Sequence, residues 1–168
     1  IFMEPYRIKR LMAFLNPWAS PQGEGFQLIQ SLYGLGAGGL FGVGLFNSRQ
    51  KYSFLPFAES DFIFSIIGEE LGFVGAAFIM LVFVALIVAL IIIARRAKTR
   101  YSMLLVAGVA SVIAVQTILN IAVVTGSIPP TGLPLPFISA GSTSLIVFMS
   151  AVGLCLNVAK QSKSSNLG

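Results

Sequence analysis

The chain has 168 residues, of which 56% are hydrophobic and only 10% are charged, and its mean hydropathy is +0.89. This composition lies outside the usual range of soluble domains and predicts a membrane protein. The net charge of +5 does not form a basic stripe on a soluble fold, so no nucleic-acid partner is expected. No histidine occurs, which excludes Ser-His and Cys-His nucleophile systems and leaves carboxylates as candidate bases.

Residues 1–61 predict a loop with short helices. Basic and apolar side chains alternate over residues 6–15, a pattern typical of a helix lying on a membrane surface. Six glycines interrupt the apolar stretch 32–46, too many for a helix that faces lipid. We therefore expect this stretch to re-enter the membrane or to pack against protein, where irregular backbone is tolerated.

Three apolar runs follow, near residues 66–94, 103–124 and 137–159. Each approaches or exceeds the roughly 20 residues that a helix needs to span a bilayer. The second run carries Gln116 and Asn120, one helical turn apart on a face that should look inward. The predicted fold is all-α: a polytopic membrane protein in which residues 62–168 form three transmembrane helices after a long extracytoplasmic loop with short helices.

The predicted orientation follows from the basic residues. Arginine and lysine fill the connection 95–100 and recur in the tail at Lys160 and Lys163, which is typical of cytoplasmic segments. The C-terminus is therefore expected in the cytoplasm, while the loop 1–61 and the uncharged turn 125–135 are expected outside.

Asp61 stands where the loop meets the first apolar run, and Glu69 and Glu70 follow it. An ionised carboxylate at the edge of hydrocarbon is costly unless it is solvated, paired or facing a cavity. Two interpretations of Asp61 stay open: a cap for a helix starting at Phe62, or a general base. On an unbroken helix Glu69 would lie about 12 Å away, beyond the roughly 5–9.5 Å of paired-carboxylate glycosidases, which disfavours hydrolysis by such a pair.

The other polar candidates each have two interpretations. Glu69 and Glu70 are bracketed by glycines that suggest close helix packing or a kink beside a polar cavity. The two glutamates are interfacial anchors or ion-pair partners, or else contact substrate. Gln116 and Asn120 are interhelical hydrogen-bond partners or ligand contacts. The basic cluster in the loop clamps phosphate or binds lipid headgroups: Arg7, Lys9 and Arg10. No cofactor or metal site is evident, although a hydrated divalent cation stays compatible with these residues.

Three sequence blocks together resemble the SEDS family, the FtsW, RodA and SpoVE group of membrane proteins. They cover nearly the whole chain: PYRIKRL to PQGEGFQ (5–27), GVG through SDFIF to GEELG (42–72), and Asn120 with PTGLPLPFIS (120–139). Phe57 departs from the family, which commonly has Glu after the Leu-Pro element, and so does the segment 140–144. The N-terminus has neither an initiating Met nor a signal peptide, so the chain looks like the C-terminal portion of a longer protein.

The resemblance implies a peptidoglycan glycosyltransferase, most like FtsW and SpoVE, that polymerises lipid II in the bacterial cytoplasmic membrane during cell division, cell-shape maintenance or sporulation. It implies that Asp61 is the general base and that a class B penicillin-binding protein and membrane lipids are partners. Residues expected to contact substrate are Arg7, Lys9, Arg10, Glu69, Glu70, Asn120 and Ser139. A lipid II flippase, or a non-enzymatic scaffold that activates a transpeptidase, is the alternative.

Overall fold

The computed structural model describes residues 12, 14–19, 25–47, 61–138 and 142–164. Within these residues a 3-10 turn, Pro17–Ala19, precedes four α-helices. The helices are α1 (Phe26–Gly38), α2 (Ile63–Arg96), α3 (Arg100–Val124) and α4 (Ser142–Ser164). Three of them, α2, α3 and residues Thr143–Ser162 of α4, are long and apolar enough to cross a membrane. The predicted all-α, multi-pass membrane fold is confirmed.

Helices α2 and α3 form the centre of the bundle. A short connection joins them, and Thr99 caps α3 because its Oγ1 accepts a hydrogen bond from the Ser102 N–H (3.1 Å). Buried side chains of both helices and of α4 make one continuous apolar core, to which Phe83, Val106, Ile113, Phe148 and Cys155 belong. The chain therefore runs up and down the bundle, with Asp61 at one end and Arg95 at the other.

Helix α2 is broken at Gly72, whose φ of 68° and ψ of −169° are not helical. An unbroken α-helix would bond the N–H of Phe73 and Val74 to the carbonyls of Glu69 and Glu70. At the break these four groups bond to the loop after α1 instead. Two α2 N–H groups donate to loop carbonyls, Phe73 to Gly39 (2.9 Å) and Val74 to Leu40 (3.2 Å).

The loop also donates to α2. The N–H of Val43 bonds the Glu69 carbonyl (3.0 Å), and the N–H of Gly44 bonds the Glu70 carbonyl (3.1 Å). Because all four groups at the break are paired with the loop, α2 consists of two half-helices joined through it. The loop after α1 thus packs against α2 through direct backbone contact, and the kink, one of the two interpretations of the glycines around the glutamates, lies at Gly72.

Glycine is required on both sides of this junction. A Cβ on Gly42 would overlap the Glu70 carbonyl, and a Cβ on Gly72 would overlap the Gly42 amide nitrogen. Both residues also have positive φ, 79° and 68°, a region that L side chains rarely adopt. The main chains of the loop and of α2 therefore touch directly.

Helix α1 is anchored to the Asp61 end of the bundle. The buried Ser31 hydroxyl donates to the carbonyl of Val124, the last residue of α3 (2.9 Å). The surface helix predicted over residues 6–15 lies outside the described residues except for positions 12, 14 and 15.

Candidate functional site

Asp61 lies directly before α2, and its side chain is half-buried. The N-cap position of α2 is occupied by Phe62, which provides no side-chain cap. The first turn is closed instead by Ser65, whose N–H (3.0 Å) and Oγ (2.7 Å) both donate to the Phe62 carbonyl. Asp61 therefore does not hold the capping position that was one interpretation of its sequence context.

The Asp61 carboxylate faces the turn between α3 and α4. A Cβ built on Gly132 would lie 3.8 Å from Asp61 Oδ2, at ordinary van der Waals distance. Gly132 has a φ of 72°, so the turn reaches this position through a conformation that suits glycine. The backbone of the turn forms one wall beside the carboxylate.

Two amide side chains of α3 hold this wall and the Asp61 junction together. Asn120 Nδ2 donates to the carbonyl of Asp61 (2.8 Å) and to that of Leu133 (2.8 Å). One turn earlier, Gln116 Nε2 donates to the carbonyl of Pro134 (2.8 Å). The inward face predicted for these residues is present, but their partners are backbone carbonyls of the junction and the turn.

Asn120 is 1% exposed, and both of its N–H groups are used by the two carbonyls. Its amide oxygen is also buried and finds no hydrogen-bond partner among the described residues. A buried amide with both donors engaged has little rotational freedom, so it is a fixed point in the site.

The turn is stiffened by proline and by aromatic packing. Pro129, Pro130, Pro134 and Pro136 each fix a φ angle, and Leu135 is 1% exposed. Phe137, at a φ of 65°, packs against Phe83 of α2 and Phe148 of α4, with ring centroids 6.5 and 5.6 Å away. The wall beside Asp61 is consequently anchored to two of the long helices.

Glu69 and Glu70 lie at the end of the first half-helix, immediately before the break. Glu69 is 2% exposed, and Glu70 is half-buried, with an Oε1 that has no hydrogen-bond partner in the described part of the chain. Glu69 lies eight positions after Asp61, which is about 12 Å at a helical rise of 1.5 Å per residue. Helical spacing therefore separates these carboxylates from Asp61.

An apolar cavity of about 710 Å³ opens beside the first half-helix. Apolar side chains and glycines of α1, α2 and α3 form most of its lining, with Gly39 and Thr125 at the ends of α1 and α3. Along α2 the lining begins at Phe64, one turn after Asp61, and extends past the break to Val84. The glycines around Glu69 and Glu70 suggested a polar cavity beside a kink, whereas the cavity that lies there is apolar. Its sequence signal is the row of small residues at four-residue spacing on α2: Gly68, Gly72 and Ala76.

The remaining predicted substrate contacts lie outside the described residues: Arg7, Lys9, Arg10 and Ser139. Within the described residues, no group of three or more Asp, Glu or Cys side chains converges to hold a metal ion.

Comparisons with known proteins give a consistent result. The model of the FtsW/RodA/SpoVE family, described as cell cycle proteins, matches residues 1–164. Stage V sporulation protein E of Bacillus subtilis (strain 168) is 51% identical over 163 residues, which cover 97% of this chain and 44% of that protein. The probable peptidoglycan glycosyltransferase FtsW of Coxiella burnetii is 47% identical over 165 residues, covering 96% of this chain and 44% of that protein. This chain thus spans less than half the length of these relatives.

A solved structure is also similar. Its chain matches with a TM-score of 0.74 and 32% identity, over 95% of this chain and 43% of the solved one. That structure is described as "Structural coordination of polymerization and crosslinking by a peptidoglycan synthase complex". At this identity and TM-score the likeness supports a common fold for the matched region.

Proposed function

Because this chain belongs to the FtsW/RodA/SpoVE family of cell cycle proteins, we propose that it is part of a peptidoglycan glycosyltransferase that polymerises lipid II. Asp61 is the general base. It takes the proton of the acceptor sugar's 4-hydroxyl while that oxygen attacks the anomeric carbon of the donor. The new glycosidic C–O bond forms as the C–O bond to the lipid pyrophosphate breaks, and the configuration inverts.

The observation that carries this proposal is the setting of Asp61. Asp61 places a half-buried carboxylate at the start of a membrane-spanning helix, outside the N-cap position that would give it a structural role. Its backbone is fixed by Asn120, and its carboxylate faces a stiff turn at Gly132. A base must be held within reach of the hydroxyl that it deprotonates, and this arrangement favours that role.

The lipid part of the substrate has a matching surface. The cavity of about 710 Å³ starts one turn from Asp61 and is lined almost wholly by apolar groups. An apolar tail lying there would keep the attached sugar near the start of α2, at the level of the carboxylate. Apart from Asn120, whose donors are taken by backbone carbonyls, we extend the site to the residues that the sequence predicted to contact substrate: Arg7, Lys9, Arg10, Glu69, Glu70 and Ser139.

We also propose an orientation and a partner. Arg95, Arg96, Lys98 and Arg100 lie together at the end of the bundle opposite Asp61, which supports a cytoplasmic location for that end and for the C-terminus. The site then faces outward from the bacterial cytoplasmic membrane. Since the similar solved chain belongs to a complex that couples polymerization to crosslinking, we propose a class B penicillin-binding protein as partner.

Asp61→Asn in the full-length protein tests the catalytic assignment. The amide keeps the size of the side chain but is not a base, so we expect polymerisation of lipid II to fall by about a hundredfold or more, since general acid–base catalysis contributes 10²–10⁴-fold. Asp61→Glu, which keeps a carboxylate, should retain more activity than Asp61→Asn. Wild-type polymerisation by the folded Asp61→Asn protein would refute the role.

A second candidate function is translocation of the lipid-linked sugar across the bilayer. The break in α2 favours it, because discontinuous membrane helices are typical of transporters. Reconstitution into liposomes separates the two functions: lipid II that crosses the bilayer without being joined into glycan strands would favour translocation.

A further inference from the structure

We infer that Asn120 is a positioning residue for Asp61. Its side-chain amide bonds the backbone carbonyl of Asp61 and thereby fixes the position from which the Asp61 carboxylate extends. This inference rests on the proposed function, because it assigns Asn120 a share in the work of Asp61.

The geometry around the Asp61 carbonyl motivates the assignment. In a regular helix this carbonyl would accept from the N–H of Ser65, but that N–H bonds the Phe62 carbonyl. The Asp61 carbonyl therefore precedes the first hydrogen bond of the helix and accepts none from the Ser65 N–H. Asn120 supplies the donor, from a residue 59 positions away in the chain (2.8 Å).

One amide group joins three parts of the molecule. Asn120 belongs to α3, its first N–H holds the residue before α2, and its second holds Leu133 in the turn. The same turn presents Gly132 to the Asp61 carboxylate. Asn120 thus fixes both the main chain from which the carboxylate extends and the wall that the carboxylate faces.

Few side chains could replace Asn120 in this role. Aspartate has no donors when ionised, and glutamine is longer by one methylene, which would displace its nitrogen at a site that is 1% exposed. Gln116 provides a natural comparison, because it donates to the same turn at Pro134 without bonding the Asp61 carbonyl. The two amides differ in the one hydrogen bond that the inference concerns.

Two variants of the full-length protein test the inference: Asn120→Ala and Gln116→Ala. Weaker positioning should lower kcat about tenfold to a hundredfold in Asn120→Ala, because a misplacement of about 1 Å can cost 10²-fold in rate. KM for lipid II should change by less than about threefold, since both N–H donors of the Asn120 amide are taken by backbone carbonyls of the protein. Gln116→Ala, which removes a hydrogen bond to the turn but not the one to the Asp61 carbonyl, should lower kcat by clearly less than Asn120→Ala does.

Thermal unfolding in detergent shows whether both variants are folded. A third variant, Asn120→Gln, restores the N–H donors at a displaced position, so its kcat should lie between those of Asn120→Ala and wild type. Equal decreases in kcat in Asn120→Ala and Gln116→Ala would overturn the inference, because the turn alone would then account for them. A change confined to KM, or wild-type kcat in Asn120→Ala, would also overturn it. Wild-type activity in Asp61→Asn is a separate result, which refutes the proposed function itself.

Discussion

At the scale of single residues, the environment of Asp61 depends on groups that are distant in sequence. The sequence identified the carboxylate and the inward face of α3, because charge at a membrane edge and helical spacing are local properties. It did not identify the partners of Asn120, since a carbonyl 59 residues away carries no signal of its own. Backbone carbonyls are present at every residue, so composition cannot single one out.

Gly132 allows a test at this scale. Gly132→Ala adds a methyl group at ordinary contact distance from Asp61 Oδ2, so the space is sufficient, but the φ of 72° disfavours an L side chain by roughly 1–2 kcal/mol. We expect the turn to shift, and both the melting temperature and the polymerisation rate to fall.

Gly108→Ala is the matched control for this change. Gly108 lies within α3, and a Cβ built there meets nothing within 4 Å. Alanine in a helix is favoured over glycine by roughly 0.5–1 kcal/mol, so this variant should be as stable as wild type or more so. If Gly132→Ala matched Gly108→Ala in stability and rate, the backbone of the turn would not constrain the site.

At the scale of secondary-structure elements, the spans were predictable, whereas the break in α2 was only suggested. A long apolar run is visible in any window of the sequence, which is why three spanning helices could be predicted. The glycines around Glu69 and Glu70 pointed to a kink or close packing. The stretch after α1 supplies the hydrogen bonds that the break removes from α2, by pairing residues 39–44 with residues 69–74. No local sequence pattern encodes this pairing, because the two segments are about 30 residues apart.

Gly42→Ala and Gly72→Ala test this junction. In each variant the new Cβ would overlap main-chain atoms, which cannot rotate away as a flexible side chain can. The loop should therefore move away from the break and leave four backbone groups of α2 without hydrogen bonds: those of Glu69, Glu70, Phe73 and Val74. Inside a membrane each unpaired backbone group costs several kcal/mol. We expect a large drop in melting temperature or failure of the protein to fold.

Gly36→Ala serves as the control, because Gly36 lies in α1 and a Cβ there would meet nothing within 4 Å. Its melting temperature should stay near that of wild type. Wild-type stability in Gly72→Ala would mean that α2 tolerates a side chain at the break and that the direct backbone contact is not required.

At the scale of the whole molecule, the basic connection and the candidate site lie at opposite ends of the long helices. The basic connection between α2 and α3 lies at one end, and Asp61, the turn and α1 lie at the other. The predicted contacts at Arg7, Lys9, Arg10 and Ser139 stay predictions, since they lie outside the described residues. The excess of basic residues in the α2–α3 connection predicts that this end faces the cytoplasm. Cysteine labelling can measure that orientation.

Single cysteines introduced at Lys98 and Ser127, both exposed, report on the two ends. In a background without native cysteines, in which Cys155→Ser removes the buried thiol of this region, a membrane-impermeant maleimide applied to intact cells should label Ser127→Cys and not Lys98→Cys. Permeabilised cells should label both. The reverse pattern in intact cells would invert the proposed orientation.

The exchange of hydrogen bonds at Gly72 also bears on how the chain enters the membrane during synthesis. Residues 39–44 precede α2 in the chain, so they leave the ribosome before the half-helices that they join. The groups that complete α2 are therefore already available when α2 is inserted. Because of this order, the broken helix need not stay in lipid with unpaired backbone groups until a later segment is translated.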